Sequence, residues 1–158
     1  MDRLTEREIE VLREALDDEY HAWATYDQVI ADFGEVAPFE NIRDAEARHI
    51  EALLFLFRNF GLQVPGNDWP GRVERYPSLI AACEAGVVAE LANAGLYDRL
   101  LGGSVRPEIA TVLQRLRQAS QERHLPAFRR CAERPRAGSG ARGDCEPGHP
   151  RRWRGGRA

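Results

Sequence analysis

Apolar side chains recur at intervals of three and four residues in four long segments of the chain, a spacing that predicts amphipathic α-helices. The first predicted helix begins at a capping box, Thr5-x-x-Glu8, and runs to Phe33, where Gly34 ends it. Its buried stripe contains Ile9, Leu12, Leu16, Glu19, Trp23, Tyr26 and Ile30. One carboxylate, that of Glu19, therefore lies on a face that is otherwise apolar.

The second predicted helix carries two polar residues on its buried face. It begins near Pro38, since proline is favoured in a first turn, and it ends at Gly61. Its stripe contains Phe39, Ile42, Glu46, His49, Leu53, Leu56 and Phe60. Glu46 and His49 lie one turn apart on the same face, so both side chains can contact one cation.

A long connection rich in Pro, Gly and polar residues follows, from Gly61 to about Pro77, with Trp69 as its large apolar residue. It exceeds the usual length of a connection between helices. Roughly 16 extended residues reach about 50 Å, which is more than the length of a 20-residue helix. We therefore predict a crossover that runs along the whole length of a bundle.

The remaining apolar pattern predicts a second pair of helices. The third helix runs from about Ser78 to Leu101 and is stopped by Gly102-Gly103, and the fourth has Pro107 in its first turn. The stripe of the third helix contains Ile80, Cys83, Val87, Glu90, Ala94, Tyr97 and Leu101, and that of the fourth contains Ile109, Leu113, Leu116, Ser120, His124, Ala127 and Cys131. Pro126 removes a backbone donor and is expected to kink the fourth helix.

The order of hairpin, crossover and hairpin predicts an all-α fold, a four-helix bundle with ferritin-like connectivity, over residues 1–134. Residues 135–158 are dominated by Gly, Arg, Pro and Ser, and we expect them to form a disordered tail.

The two predicted hairpins repeat one polar pattern. On the first helix of each, an acid precedes a Tyr-Asp pair: Glu19 precedes Tyr26-Asp27, and Glu90 precedes Tyr97-Asp98. On the second helix, Glu46-x-x-His49 corresponds to Gln121-x-x-His124. Because buried acids and histidines are costly unless something binds them, the repetition favours a metal site.

The predicted metal ligands are Glu19, Glu46, His49, Glu90 and His124, with Gln121 as a weaker candidate. Oxygen and imidazole ligands without thiolate favour iron or manganese, with zinc as a further alternative. Gln121 stands where the repeat would place a second carboxylate. We therefore predict an asymmetric site for one or two ions, with the ion at Glu46 and His49 held more tightly.

This residue set resembles that of the ferritin-like di-iron carboxylate superfamily, which includes ferritins, bacterioferritins and rubrerythrins. Residues 15–20, 38–42, 45–50 and 96–101 look more closely like an uncharacterised bacterial family of ferritin-like domains. The resemblance covers roughly residues 4–134 and implies a di-metal centre that reacts with dioxygen or peroxide, as in ferrous oxidation. Gln121 departs from the second Glu-x-x-His of that superfamily, and no rubredoxin-type Cys-x-x-Cys pair occurs.

Tyr26 and Tyr97 lie two turns beyond Glu19 and Glu90 and allow two interpretations. They either hydrogen-bond a ligand carboxylate or act as redox-active phenols at the metal, or they are ordinary core tyrosines. The aspartates that follow them, at positions 27 and 98, either orient the histidines or face solvent.

The charge and the hydropathy of the chain bear on its partners and its cellular location. The net charge is −3, with 16 Arg against 23 acids in residues 1–134 and 6 Arg against 2 acids in residues 135–158. This balance predicts no specific nucleic-acid partner. No apolar run approaches the roughly 20 residues of a membrane span, and the N-terminus lacks a secretory h-region. A cytoplasmic protein without membrane contact is the expectation, and analogy suggests a homodimer.

The three cysteines are too few for a disulfide framework or a zinc cluster. Cys83 is expected to be a small buried hydrophobic residue, and Cys131 and Cys145 could pair under oxidation.

Two functions of different classes remain open. The first is a redox metalloprotein that binds ferrous ion and reacts it with dioxygen or peroxide. The second is a non-catalytic module in which a metal stabilises the bundle and the Arg-rich tail recruits an anionic partner. A metal-free bundle with internal ion pairs is a third hypothesis.

Overall fold

The computed structural model describes residues 3–134, which form an all-helical bundle without a strand in that range. The helices are α1 (Glu6–Phe33), α2 (Phe39–Asn59), α3 (Leu79–Leu101), α4 (Pro107–Ala119) and α5 (Leu125–Ala132), and a π-helical turn (Ser120–His124) joins α4 to α5. The prediction of an all-α bundle is confirmed. The predicted tail, residues 135–158, lies outside the described residues.

The helices begin at the capping residues that the sequence indicates. Thr5 caps α1 in a reciprocal capping box with Glu8, and the Ser78 side chain accepts a hydrogen bond from the backbone N–H of Ala81 at the start of α3. These side chains satisfy backbone donors that a helix start would otherwise leave unpaired. Pro107 opens α4 as predicted.

Contacts along α1 establish the directions of its neighbours. Asp27 pairs with Arg43, and Glu19 approaches His49, so α1 and α2 run antiparallel. Tyr26 reaches Glu90 of α3, and Arg99, later in α3, binds the earlier α1 residue Glu14, so α3 is also antiparallel to α1.

Because α2 and α3 are parallel, the chain between them must return along the length of the bundle. This connection lies on α1: the hydroxyl of Tyr20 donates to the carbonyl of Pro65 at 3.4 Å, and Arg75 Nε binds Asp32 at 3.0 Å. Trp69 Nε1 also donates to Asp17 of α1, at 3.0 Å. The long crossover that the sequence predicts is therefore present.

The fourth helix of the bundle consists of α4, the π-turn and α5. The backbone N–H of Leu125 donates to the carbonyl of Ser120, five residues back, which is the π-helical pattern. Pro126 has no N–H to donate, and its ring would clash with the carbonyl four residues earlier in a regular α-helix. Pro126 was expected to kink the fourth helix, and in the structure the helix instead contains one extra residue in the turn before Pro126.

Two apolar clusters fill the bundle on either side of a polar layer. One cluster includes Leu12, Leu16, Leu53, Phe57, Tyr97, Leu113 and Leu116, and the other includes Tyr26, Val29, Phe39, Ile42, Cys83, Phe128 and Cys131. On every helix the polar residues of the layer come between the members of the two clusters. The polar layer is therefore surrounded by packed side chains, which lowers the local dielectric constant.

Cys83 and Cys131 form a disulfide with a Cα–Cα distance of 5.7 Å, which corrects the expectation for the cysteines. Cys145, the partner expected for Cys131, lies outside the described residues. The fold decides the pairing because it brings the start of α3 beside α5, where the ring of Phe128 covers Gly86 so closely that no Cβ would fit. Disulfides persist mainly in oxidising compartments, so cytoplasmic location stays a prediction.

Within the described residues, α3 is long and apolar enough to cross a membrane by length and composition alone. The prediction that no apolar run approaches the length of a membrane span is therefore wrong for α3. In the structure, one face of α3 packs in the core of the bundle, while Val88 and Leu91 are exposed. Core helices of soluble bundles pass the same test, so α3 does not settle the question of a membrane.

Candidate metal centre

All four helices of the bundle bring polar side chains to the central layer. The five predicted ligands meet there: Glu19 from α1, Glu46 and His49 from α2, Glu90 from α3 and His124 from the π-turn. The three glutamates are only 2–3% exposed and His124 is 4% exposed, while His49 is partly buried. Burial of this depth is rare for carboxylates without a compensating charge.

The first group of side chains surrounds His49. Its Nδ1 atom lies 2.8 Å from Glu46 Oε2 and 3.3 Å from Glu19 Oε2. One ligand atom from each of the three residues falls within 4.8 Å of the others. The group therefore offers two carboxylates and one imidazole to a single cation.

The second group surrounds His124 and shares Glu46 with the first. His124 Nδ1 lies 3.2 Å from Glu46 Oε1 and 3.6 Å from Glu90 Oε1, and the three ligand atoms again fall within 4.8 Å. Each oxygen of Glu46 thus faces a different histidine. The rings of His49 and His124 stack with their centroids 5.5 Å apart.

His124 Nδ1 is buried and forms no hydrogen bond within the described part of the chain, although two carboxylate oxygens lie nearby. These oxygens are close enough to the nitrogen for a hydrogen bond, but they do not lie in the direction that a hydrogen bond requires. A buried nitrogen without a hydrogen bond is costly in a metal-free protein. The same nitrogen is well suited to donate its lone pair to a cation among those oxygens.

The protonation of the layer reflects its burial and the close approach of its acids and histidines to one another. Burial, reinforced by the charge of Glu46, raises the pKa of Glu19 well above its usual value. Burial lowers the pKa values of the two histidines, but the adjacent carboxylates outweigh it and raise them to about 10 for His49 and about 9 for His124. Burial raises the pKa of Glu46, yet the histidines next to it prevail and lower it. Without a metal, the layer depends on protons for its charge balance.

Both tyrosines of the repeated pattern contact a carboxylate of the layer. The hydroxyl of Tyr26 donates to Glu90 Oε1 at 2.8 Å, and the hydroxyl of Tyr97 donates to Glu19 Oε1. Each tyrosine therefore holds the glutamate that comes from the other hairpin. Burial, followed by the charge of these partners, raises the pKa of both phenols well above the usual value, so both remain donors.

Ser120, and not Gln121, faces the layer from the second hairpin. The Ser120 hydroxyl donates to Glu90 Oε2, whereas the Gln121 side chain is exposed. The placement of Gln121 as a weak ligand is therefore corrected: Ser120, four positions before His124, is the residue on the inner face. The apolar stripe of the fourth helix, which contains Ser120 and not Gln121, was the sequence signal for this placement.

Asp27 and Asp98 do not orient the histidines. Asp27 pairs with Arg43 at 3.0 Å, and Asp98 pairs with Arg117 at 2.8 Å. Both carboxylates are about half exposed, so they belong to the outer surface of the bundle.

Two cavities approach the layer from opposite sides. A groove of about 600 Å³ lies between α2 and the fourth helix and is lined at its base by His49 and His124. A smaller cavity of about 80 Å³ lies on the α1 and α3 side, where Asp18, Glu46 and Glu90 line it. The layer is thus reached through a cationic side and an acidic side.

Comparison with solved structures shows a similar fold in the crystal structure of a hypothetical protein from Methanococcus jannaschii. The two share 20% sequence identity over 84% of this chain and 83% of that one, with a TM-score of 0.74. At this identity, the likeness establishes the fold alone. No family model and no curated protein matches the chain.

Proposed function

We propose that this protein binds metal in its central polar layer and that, with iron bound, it carries out redox chemistry with dioxygen or peroxide, such as ferrous oxidation. One observation carries the proposal: Glu46 is buried between two histidines and offers one oxygen to each of two three-residue ligand groups. Within residues 3–134, no guanidinium pairs with Glu19, Glu46 or Glu90, although the chain uses arginine for its other buried acid, Glu8.

The donor set fits iron or manganese, with zinc as an alternative, because it contains oxygen and imidazole and no thiolate. Three carboxylates offset most of the charge of two divalent ions, and one or two ions are compatible with the two groups. The crossover and the repeated ligand pattern resemble those of the ferritin-like di-iron carboxylate superfamily, and this resemblance supports a ferritin-like assignment.

In this proposal a bound ferrous ion supplies the electrons for reduction of dioxygen or peroxide. The protein's own residues bind the ion, hold the ligands in place and limit the access of water. Glu46 would contribute one oxygen to each group, and His49 and His124 would each contribute one imidazole nitrogen to an ion. Tyr97 and Tyr26 hold Glu19 and Glu90 in place through their hydroxyl groups. The apolar clusters above and below restrict the access of water.

The two groups are unequal. Glu19, Glu46 and His49 form one group, in which two acids contact the imidazole. In the other group, the Ser120 hydroxyl occupies the place next to Glu90 that a further carboxylate would need. Both groups offer two carboxylates and one imidazole. We expect the first group to bind its ion more tightly, because both oxygens of Glu90 already accept hydrogen bonds, from the hydroxyls of Tyr26 and Ser120, and these bonds compete with a cation for the lone pairs.

The test is anaerobic titration of metal-free protein with Fe(II), followed by admission of air. The proposal expects a rise in melting temperature on titration, oxygen consumption, and the near-ultraviolet absorption that accompanies conversion to ferric iron. Absence of any binding of Fe(II), Mn(II) or Zn(II) by calorimetry would overturn it and favour the metal-free bundle.

A non-catalytic metal-stabilised bundle is the second candidate. Gln121 is exposed and Ser120 is small, so neither residue adds a fourth carboxylate to the three of the central layer. For this candidate, metal raises the melting temperature and no oxygen is consumed. Tyr26 and Tyr97 would then serve only to fix Glu90 and Glu19.

A cytoplasmic location, a homodimer, and the absence of nucleic-acid and membrane partners accompany this proposal as further predictions. Sedimentation of the full chain, with and without metal, tests the dimer.

A further inference from the structure

The groove between α2 and the fourth helix has an uneven charge distribution. Its lining includes five arginines and no aspartate or glutamate among the described residues. The arginines are Arg48, Arg115, Arg123, Arg130 and Arg134. The groove is positively charged although residues 1–134 as a whole carry a net negative charge, with 16 Arg against 23 acids.

None of these five guanidinium groups has an ion-pair partner among residues 3–134. Elsewhere on the surface, arginines such as Arg75 and Arg99 are paired with nearby acids. Unpaired arginines around one concave surface leave it with a positive potential, and the walls focus that field. Guanidinium groups also match the planar, two-oxygen geometry of a carboxylate.

Between the arginines, most of the groove surface is apolar, with Asn41 and the two histidines as its polar residues. Alanine lines it at positions 37, 45, 52, 119 and 127, and Ile42 and Leu116 add branched side chains. Small side chains on both helices leave the space open. The volume of about 600 Å³ lies within the range of small-molecule sites, which is about 300–1,000 Å³.

We propose that this groove binds a small organic carboxylate with an apolar body, for which a medium-chain alkyl carboxylate is the simplest example. The arginines bind the carboxylate group, and the alanine-lined surface holds the hydrocarbon. The base of the groove reaches His49 and His124, so the bound molecule lies against the central layer. Binding does not require the metal.

Charge argues against the chain's own C-terminal segment as the occupant. Residues 135–158 hold 6 Arg against 2 acids, so their net charge has the same sign as the arginines that line the groove. A rigid nucleic-acid surface does not fit either, because the apolar surface lies within a concave space of small-molecule size. Charge and volume together therefore favour a small amphipathic anion.

The experiment is calorimetry of metal-free, full-length protein with decanoate, compared with decanol, which has the same chain without the charge. The proposal expects saturable binding of decanoate, at least about tenfold weaker binding of decanol, and weakening of decanoate binding with salt. Equal affinity for the two compounds would overturn it.

Two variants with matched controls locate the site. Arg48→Gln with Arg123→Gln should weaken decanoate binding at least about tenfold. Arg72→Gln with Arg129→Gln removes the same charge outside the groove and should leave binding unchanged. Ala45→Phe should block the groove, whereas Ala92→Phe on the exposed side of α3 should not.

Equal losses in the two arginine pairs would overturn the proposal, since binding would then follow net charge alone. Binding to vesicles of anionic phospholipid without binding of free decanoate would overturn it in favour of a membrane surface. The metal proposal is unaffected by either result, because these measurements use metal-free protein.

Discussion

Two regions of this bundle bury carboxylates, and they neutralise them in different ways. At the end of the bundle near the N-terminus, Glu8 is 4% exposed and receives a bidentate contact from Arg106, at 3.0 Å from Nε and 3.2 Å from Nη2. Thr5 adds two hydrogen bonds to the same carboxylate. Glu8 is therefore satisfied by the protein alone.

The central layer buries three glutamates at least as deeply, and no arginine of residues 3–134 pairs with them. Within that range its positive charge comes from two histidines, one of which has a buried nitrogen without a hydrogen bond. An Arg partner lowers the pKa of Glu8 to about 2, whereas burial raises that of Glu19 well above its usual value. The chain thus completes a structural carboxylate with arginine, whereas within the described residues its central carboxylates are partnered by histidines and hydroxyl groups.

The largest effect is expected for Glu46→Gln, because Glu46 belongs to both ligand groups. The amide keeps the shape of the side chain and removes the shared charge. We expect metal affinity to fall at least about 100-fold, or about 2.7 kcal/mol, and the metal-induced rise in melting temperature to disappear. Calorimetry with Mn(II) and thermal melts measure both. Unchanged affinity would mean that the metal, if any, binds elsewhere.

Glu8→Gln is the matched control for the comparison. It removes a buried carboxylate of structural type and should lower the free energy of unfolding by about 2 kcal/mol at neutral pH, with metal affinity unchanged. Denaturant unfolding and calorimetry separate the two outcomes. A loss of metal affinity in this variant would erase the distinction between the two regions.

The same variant has a predictable pH dependence. The pKa of Glu8 is lowered from 4.5 to about 2, chiefly by its hydrogen bond with Arg106, so its stabilising contribution is present above pH 4.5 and is lost as pH falls through 2. The difference in stability between the native chain and Glu8→Gln should therefore shrink over that interval. A constant difference would contradict the assigned cause.

The smallest effects distinguish Ser120 from Gln121. Ser120→Ala removes a hydroxyl that donates to Glu90 and should change metal affinity about tenfold, a size typical of groups that orient a ligand. Gln121→Ala changes an exposed side chain and should leave metal affinity and stability unchanged. Equal effects of the two substitutions would contradict the assignment of Ser120, and not Gln121, to the central layer.

Much of the fold could be predicted because it depends on local chemistry and on periodicity. Thr5 and Ser78 cap helices since their hydroxyls satisfy backbone donors, and the three- and four-residue spacing of apolar side chains defines the buried faces. The crossover follows from the length of chain between the second and third helices. Glu19, Glu46, Glu90 and His124 could be placed in the interior for the same reason, because each interrupts an apolar stripe.

The role of Ser120 was missed although the apolar stripe of the fourth helix already contained it. The match of Gln121-x-x-His124 with Glu46-x-x-His49 pointed to Gln121, whereas the structure exposes Gln121 and brings the Ser120 hydroxyl to Glu90. The π-turn itself could not be predicted from a pattern with 3.6 residues per turn. The pairing of Cys83 with Cys131 was missed for a different reason, since 48 residues separate them in the sequence and only packing of α3 on α5 joins them.

The sequence by itself determined the helices, their buried faces and the residues available for a central site, because these follow from contacts between residues close together in the chain. Tertiary structure alone decided that Glu46 stands between two histidines, that each tyrosine holds the glutamate of the opposite hairpin, and that the arginines of two separate helices line one groove. These arrangements join side chains from different helices, and distances between helices are fixed only when the apolar clusters pack.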